Sequence, residues 1–105
     1  MATEVRDAPE RERFELLVDG EVRGFTEYHP RAGRIAFVHT EIDAELEGRG
    51  LASELIGQAL DAARSRGLAV LPFCPFVRSF IERHGEYLDL VPAGERERFG
   101  LEEVV

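Results

Sequence analysis

The stretch Glu47-Gly48-Arg49-Gly50-Leu51-Ala52-Ser53 places two glycines directly before a segment of helical periodicity. Glycines let a backbone take unusual dihedrals and approach a ligand closely. The first-turn N–H groups of the following helix have no intrahelical partner, and its dipole adds roughly half a positive charge. Such a loop suits a phosphate or pyrophosphate; it also serves as a tight helix entry with no ligand. A second candidate is Cys74, the only cysteine, set in "VLPFCPFVRSF" from Val70 to Phe80. It is either a small buried hydrophobe or a thiol that faces a substrate. The third is the pair His39 and Glu41. Two residues apart on a strand, they share a face. An imidazole and a carboxylate there can take a proton directly or through water. The alternatives are a core histidine bonded to backbone and a strand-end carboxylate in solvent.

These residues need positioning elements. Residues 1–9 are polar and end at Pro9, which predicts a flexible N-terminal tail. In "RFELLVDGEVRGFTEYH", Phe14, Leu16 and Val18 alternate, and Asp19-Gly20 is a hairpin signal, so two strands flank a turn. "HPRAGR" at 29–34 is a second turn region. "RIAFVHTEI" at 34–42 is a third strand, apolar on both faces until His39. From Gly50 the period changes: Leu51, Ala52, Leu55, Ile56, Ala59, Leu60 and Ala63 form one helical face. Arg64 and Arg66 suit its last turn and Gly67 ends it. "LAVLPF" at 68–73 is a fourth strand, parallel to the third through a right-handed crossover. Phe76, Val77, Phe80, Ile81 and His84 mark a second helix, stopped by Gly85. "YLDLV" reads as a last strand, and residues 93–105 as a polar tail or short helix. The fold class is therefore α/β with a mixed sheet: an antiparallel meander followed by β-α-β-α, in one domain spanning 10–92.

Composition narrows the function. With 105 residues, one domain is expected. The formal net charge is -8, which argues against nucleic acid as a main partner and fits an acidic, soluble surface. All 13 basic side chains are Arg, so no lysine of this chain does chemistry. No Walker A loop or Gly-x-Gly-x-x-Gly fingerprint occurs. No apolar run can span a bilayer, no secretion signal is visible, and no Cys/His cluster has metal spacing. A cytoplasmic protein with no metal and no membrane partner is the expectation.

The order of elements and the "EGRGLAS" loop resemble the GCN5-related N-acetyltransferases, whose loop reads [QR]-x-x-G-x-[GA]. Gly50 and Ala52 fit, while Glu47 stands in the Gln/Arg place. The resemblance is closer to the short, single-domain branch of that superfamily. "HTEI" at 39–42, "GRGLA" at 48–52, "PFCPFV" at 72–77 and "RHGEY" at 83–87 recur in order over roughly residues 12–92. The resemblance implies an acetyl-CoA-binding fold with a V-shaped opening between the third and fourth strands. It implies that the pyrophosphate sits on Gly48, Arg49, Gly50, Leu51 and Ala52, beside Glu47, with Ser53 offering a hydroxyl. The pantetheine arm would pair with the edge around Glu41 and Ile42.

Larger members carry a tyrosine general acid within N-x-x-A-x-x-x-Y. Aligned on "ERHG", that tyrosine falls on Ile81 and the asparagine on Cys74. The implied activity is acetyl transfer to an unidentified amine, small or on a protein, by direct attack, with His39 or Glu41 as base. Cys74 could instead carry the acetyl group covalently or protonate the leaving thiolate. The other readings are a CoA-binding module with weak or no catalysis, and a plain structural domain. Either a monomer or a homodimer is compatible.

Overall fold

The computed structural model describes residues 1–101. Its elements are β1 (Thr3–Ala8), β2 (Arg13–Val18), β3 (Glu21–Arg31), β4 (Arg34–Ile42), α1 (Leu51–Ser65), β5 (Ala69–Pro72) and α2 (Pro75–Arg83). Short 3-10 turns occupy Pro9–Arg11, Ala44–Leu46, Gly85–Leu90 and Ala93–Glu95. One sheet runs β1-β2-β3-β4-β5; the first four strands are antiparallel and β5 is parallel to β4. No helix among the described residues is long and apolar enough to cross a membrane.

The β2–β3 hairpin forms where Asp19-Gly20 predicts it. Both turn residues have positive φ, 50° and 84°, as a two-residue turn matched to strand twist requires. The helix at Leu51–Ser65 lies on its predicted face: Leu55, Ile56, Ala59, Leu60 and Ala63 are buried. They share one core with Phe14, Leu16, Tyr28, Ile35 and Phe37 of the sheet and with Val77, Phe80 and Ile81 of α2.

Three expectations are corrected. Residues 3–8, expected within a loose tail, form β1 and pair with β2 from Thr3–Val18 to Ala8–Arg13. Its ties are largely polar: Ala2 N–H to Asp19 Oδ1 at 2.9 Å, Thr3 Oγ1 to Glu54 Oε1 at 2.8 Å, and Arg66 to Asp7 at 2.8 Å. The meander therefore has four strands, not three. "YLDLV" is not a strand; Gly85–Leu90 is a 3-10 turn. The guanidinium of Arg64 holds that turn against the end of α1, donating to both carboxylate oxygens of Asp89 and to the Glu86 carbonyl. Beyond Ala93–Glu95, Phe99 and Leu101 are buried in the core rather than part of a polar tail. The rest of that predicted segment, 102–105, lies outside the described residues.

The β3–β4 register shifts between Glu27 and Tyr28. Tyr28 pairs with Phe37 and Glu27 with His39, leaving Val38 as the extra residue of a bulge. A bulge re-aims the side chains beyond it. Phe37 therefore faces the core, yet His39 and Glu41, at the same spacing parity, face away from it.

Candidate active site

β4 and β5 pair only from Arg34–Ala69 to Phe37–Pro72. One further bond, from Cys74 N–H to the Phe37 carbonyl at 2.9 Å, closes the apex. β5 then gives way to α2, while β4 continues to Ile42 with β3 on its other side. The two strands part in a V, and a groove of about 440 Å³ opens there. Thr40 and Ile42 of β4 form one wall. Leu46, Glu47, Gly48, Gly50, Leu51, Ala52 and Ser53 form the second. Phe76 and Arg83 of α2 form the third.

The glycine loop has the backbone its sequence predicts. Gly48 and Gly50 have φ of +81° and +75°, which L side chains adopt only at a cost. A Cβ at either would meet no atom within 4 Å, so the space in front is open. Gly50 is the N-cap of α1 and supplies no side-chain cap. The first-turn N–H groups are thus left for a group in the groove. A pyrophosphate fits this set: open space, left-handed glycines and a helix start. Just before the loop, Asp43 accepts the Glu45 N–H at 3.1 Å and the Arg23 Nε–H at 2.9 Å. The Glu45 N–H and the Arg23 guanidinium hold the Asp43 carboxyl below the usual carboxylate range.

Of the residues singled out for cofactor binding, Ile42, Glu47, Gly48, Gly50, Leu51, Ala52 and Ser53 line the groove. Arg49 does not; its side chain is exposed on the loop. Cys74 stands at the N-cap position of α2 without a side-chain capping bond and is buried, at 3% exposure. It is absent from the groove wall and lies behind Thr40, whose Oγ1 is 3.4 Å from Cys74 Sγ. Thr40 Oγ1 is also 2.9 Å from the hydroxyl of the fully buried Thr26.

His39 and Glu41 share a face, as their spacing predicts: His39 Nε2 is 3.3 Å from Glu41 Oε1. Both are half-exposed or more, on the face of β4 opposite Thr40. The His39 ring lies 6.1 Å from that of Phe25, over which the Arg13 guanidinium sits. Glu41 lines a second, shallower depression of about 580 Å³, with Arg13, Val22, Arg23, Phe25 and Asp43. The two hollows meet at the end of β4, where Thr40, Ile42 and Glu47 line both.

Three other polar side chains, His84, Tyr28 and Tyr87, are held by structural contacts. His84 Nδ1 sits 2.9 Å from the Phe80 carbonyl and the ring stacks on Phe80. Tyr28 bonds Asp7 at 2.6 Å and Tyr87 bonds Asp61 at 2.8 Å. Burial and the Asp61 carboxylate push the Tyr87 hydroxyl up to about 12. Ile81, the position on which the expected tyrosine of the family pattern falls, is 1% exposed in the core. No group of three metal-ligating side chains occurs among the described residues. Sequence reasoning missed Thr40, Leu46, Phe76 and Arg83 as groove residues. Phe76 and Arg83 carried a usable signal, because a seven-residue spacing places both on one helix face.

Comparison with known proteins agrees with this geometry. The GCN5-related N-acetyl-transferase family model matches residues 13–90. A GCN5-like protein from Staphylococcus aureus, solved by NMR, superposes with a TM-score of 0.66 at 21% identity, over 85% of this chain and 87% of its own. The ribosomal-protein-S18-alanine N-acetyltransferase of Escherichia coli superposes with a TM-score of 0.60 at 18% identity, over 70% of this chain and half of its own length. At these identities the superpositions establish the fold. No curated protein matches the chain significantly. With the family model covering most of the sequence and the same fold recurring in those structures, the chain belongs to the GCN5-related N-acetyltransferase family.

Proposed function

We propose that this protein is an acetyl-CoA-dependent N-acetyltransferase in which an amine attacks the thioester directly. The family's chemistry is acyl transfer to an amine; the donor, the acceptor route and the residue roles are inferred from the site. The observation that carries the reading is the groove at the β4–β5 split. It joins an open strand edge to a left-handed glycine loop at a helix start. In this reading the edge of β4 from Val38 to Ile42 pairs with the amides of the pantetheine arm. Gly48 to Ser53 receive the pyrophosphate on backbone N–H groups. Acetyl-CoA supplies an activated acyl carbon and a thiolate leaving group.

An amine must be neutral to attack, so a proton has to leave it. Glu41 lines the depression that meets the groove, and His39 stands 3.3 Å behind it. We assign Glu41 as the proton acceptor, directly or through a water, with His39 positioning its carboxylate. The neutral nitrogen then bonds to the acyl carbon, the carbon–sulfur bond breaks, and the thiolate leaves with the electron pair; the surplus proton on the nitrogen passes to that thiolate, giving the amide and free CoA thiol. The burial of Cys74 behind Thr40 supports direct transfer over an acetyl-cysteine intermediate, because the thiol does not line the groove.

The acceptor surface is the shallow, open depression on the sheet face. That shape suits a small amine or an amine presented by a protein. The test is release of CoA from acetyl-CoA across a panel of small amines and peptide amines. Turnover with any acceptor class supports the reading. Binding of acetyl-CoA without turnover on any would leave a CoA-binding module, and absence of binding would make the glycine loop a plain helix entry.

A further inference from the structure

The groove contains one cation for a strongly anionic ligand. Most arginines are engaged by carboxylates: Arg6, Arg11 and Arg13 surround Glu15, Arg23 meets Asp43 and Glu45, Arg64 meets Asp89, Arg66 meets Asp7 and Arg98 meets Glu95. Arg83 differs. Among the described residues no carboxylate lies within ion-pair distance of it. Its Nε–H donates to the Ser79 carbonyl at 3.3 Å, one turn back. That bond draws the guanidinium toward the start of α2, as helical side chains lean. Its terminal nitrogens keep their donors for another partner. Arg83 is the one cation among the described groove residues, and Glu47 is the one anion.

Charge makes this placement matter. The chain carries a formal net charge of -8, and a CoA molecule adds several further negative charges. The loop position that would supply Gln or Arg holds Glu47 instead, and Arg49 does not line the groove. We infer that Arg83 is the phosphate-binding side chain of this site. Its guanidinium contacts the phosphates of CoA from α2, across the groove from the N–H groups of Gly48 to Ser53. A planar guanidinium matches a phosphate with two donors. Phe76, seven residues earlier on the same helix face, lines the same groove, so α2 presents an aromatic ring and then a cation to the ligand. This inference rests on the acetyl-CoA reading above.

The test is calorimetric titration of CoA and 3′-dephospho-CoA into wild type, Arg83→Met, Arg83→Lys and Arg31→Gln. Arg31 is exposed at the turn between β3 and β4, at the opposite end of β4 from the glycine loop. Arg83→Met is expected to weaken CoA binding by about 10- to 100-fold, the range for a lost charge-assisted contact. Arg83→Lys should recover part of that loss, and Arg31→Gln should stay within about twofold of wild type, because a distant exposed charge is largely screened. An equal loss with 3′-dephospho-CoA places the guanidinium on the pyrophosphate; a loss confined to CoA places it on the 3′-phosphate. Wild-type affinity in Arg83→Met overturns the assignment. So does a Lys variant no better than Met, which makes the loss one of shape, or an equal loss in Arg31→Gln, which makes it one of net charge. Failure of wild type to bind either ligand removes the acetyl-CoA reading itself, and with it this assignment, before any variant is compared.

Discussion

Cys74 Sγ lies 3.4 Å from Thr40 Oγ1, and of the two residues Thr40 lines the groove while Cys74 is buried in the core. This pair separates two routes that the sequence left open. A thiol that carries an acetyl group must reach the acyl carbon, and here Thr40 stands between. Denatured wild-type protein, after incubation with acetyl-CoA, is therefore expected to show no acetyl adduct by mass spectrometry. Cys74→Ala should keep kcat within about threefold while losing on the order of 1 kcal/mol of stability from the vacated volume. An adduct that disappears in the variant would put Cys74 on the reaction path.

The His39–Glu41 pair makes a kinetic prediction. If Glu41 accepts the proton of the amine, Glu41→Gln lowers kcat by about 10²- to 10⁴-fold, the usual contribution of a positioned base. The loss should come with little change in CoA affinity. His39→Gln removes a partner of that base and should cost less. That loss should fall on kcat with little change in KM, a split that a purely structural role for His39 would not produce. Equal activity of Glu41→Gln and wild type would remove Glu41 from the mechanism.

Much of this site was legible because glycine and periodicity leave strong marks. Gly48 and Gly50 announce left-handed backbone, and the Leu51–Ala63 stripe announces the helix they start. The alternation of His39, Thr40 and Glu41 divided the two faces of β4 correctly, although the bulge at Val38, which sets that division, had no visible mark. β1 was hidden for a physical reason. Its strand "TEVRDA" is held through Thr3, Asp7 and the turn at Asp19, so burial leaves little apolar pattern to read. The same holds for Gly85–Leu90, where Leu88 and Leu90 look like strand residues but Arg64 pins the segment as a turn. The burial of Cys74 depends on where Thr40 and Phe37 lie after folding, and one-dimensional spacing does not carry that.

The loop glycines can be tested separately from the side chains. Gly50→Ala puts a Cβ on a residue at φ +75° with no neighbour within 4 Å. Its folding cost is then backbone strain alone, about 1–2 kcal/mol. Because that Cβ also enters the space before the helix start, CoA affinity should fall. Gly33→Ala is a matched control: φ is +70°, again with nothing near, but in the β3–β4 turn away from the groove. Similar destabilisation in both, with weakened CoA binding only for Gly50→Ala, is the expected outcome in thermal melts and titrations. Equal binding by both variants would deny the loop its role.

Glu15 supplies a pH prediction independent of catalysis. Its side chain is 1% exposed, yet Arg13 approaches to 2.7 Å, Arg6 to 3.2 Å and Arg11 to 3.6 Å. Burial pushes its carboxyl up, but the hydrogen bonds from Arg13 and Arg6 outweigh this and hold it below the usual carboxylate range. A carboxyl with a depressed folded-state pKa contributes stability that is fully present above its unfolded value of about 4.3. That stability is lost as pH falls through the folded value. Glu15→Gln should therefore lower stability at pH 7 by roughly 1–3 kcal/mol, the range for hydrogen bonds to a charged group. The gap to wild type should hold down to about pH 5 and close under more acid conditions, where wild type protonates the same group. Urea unfolding of both proteins across pH 3–7 measures this directly. A gap that stays constant to pH 3 would mean that Glu15 acts through packing and not through its charge.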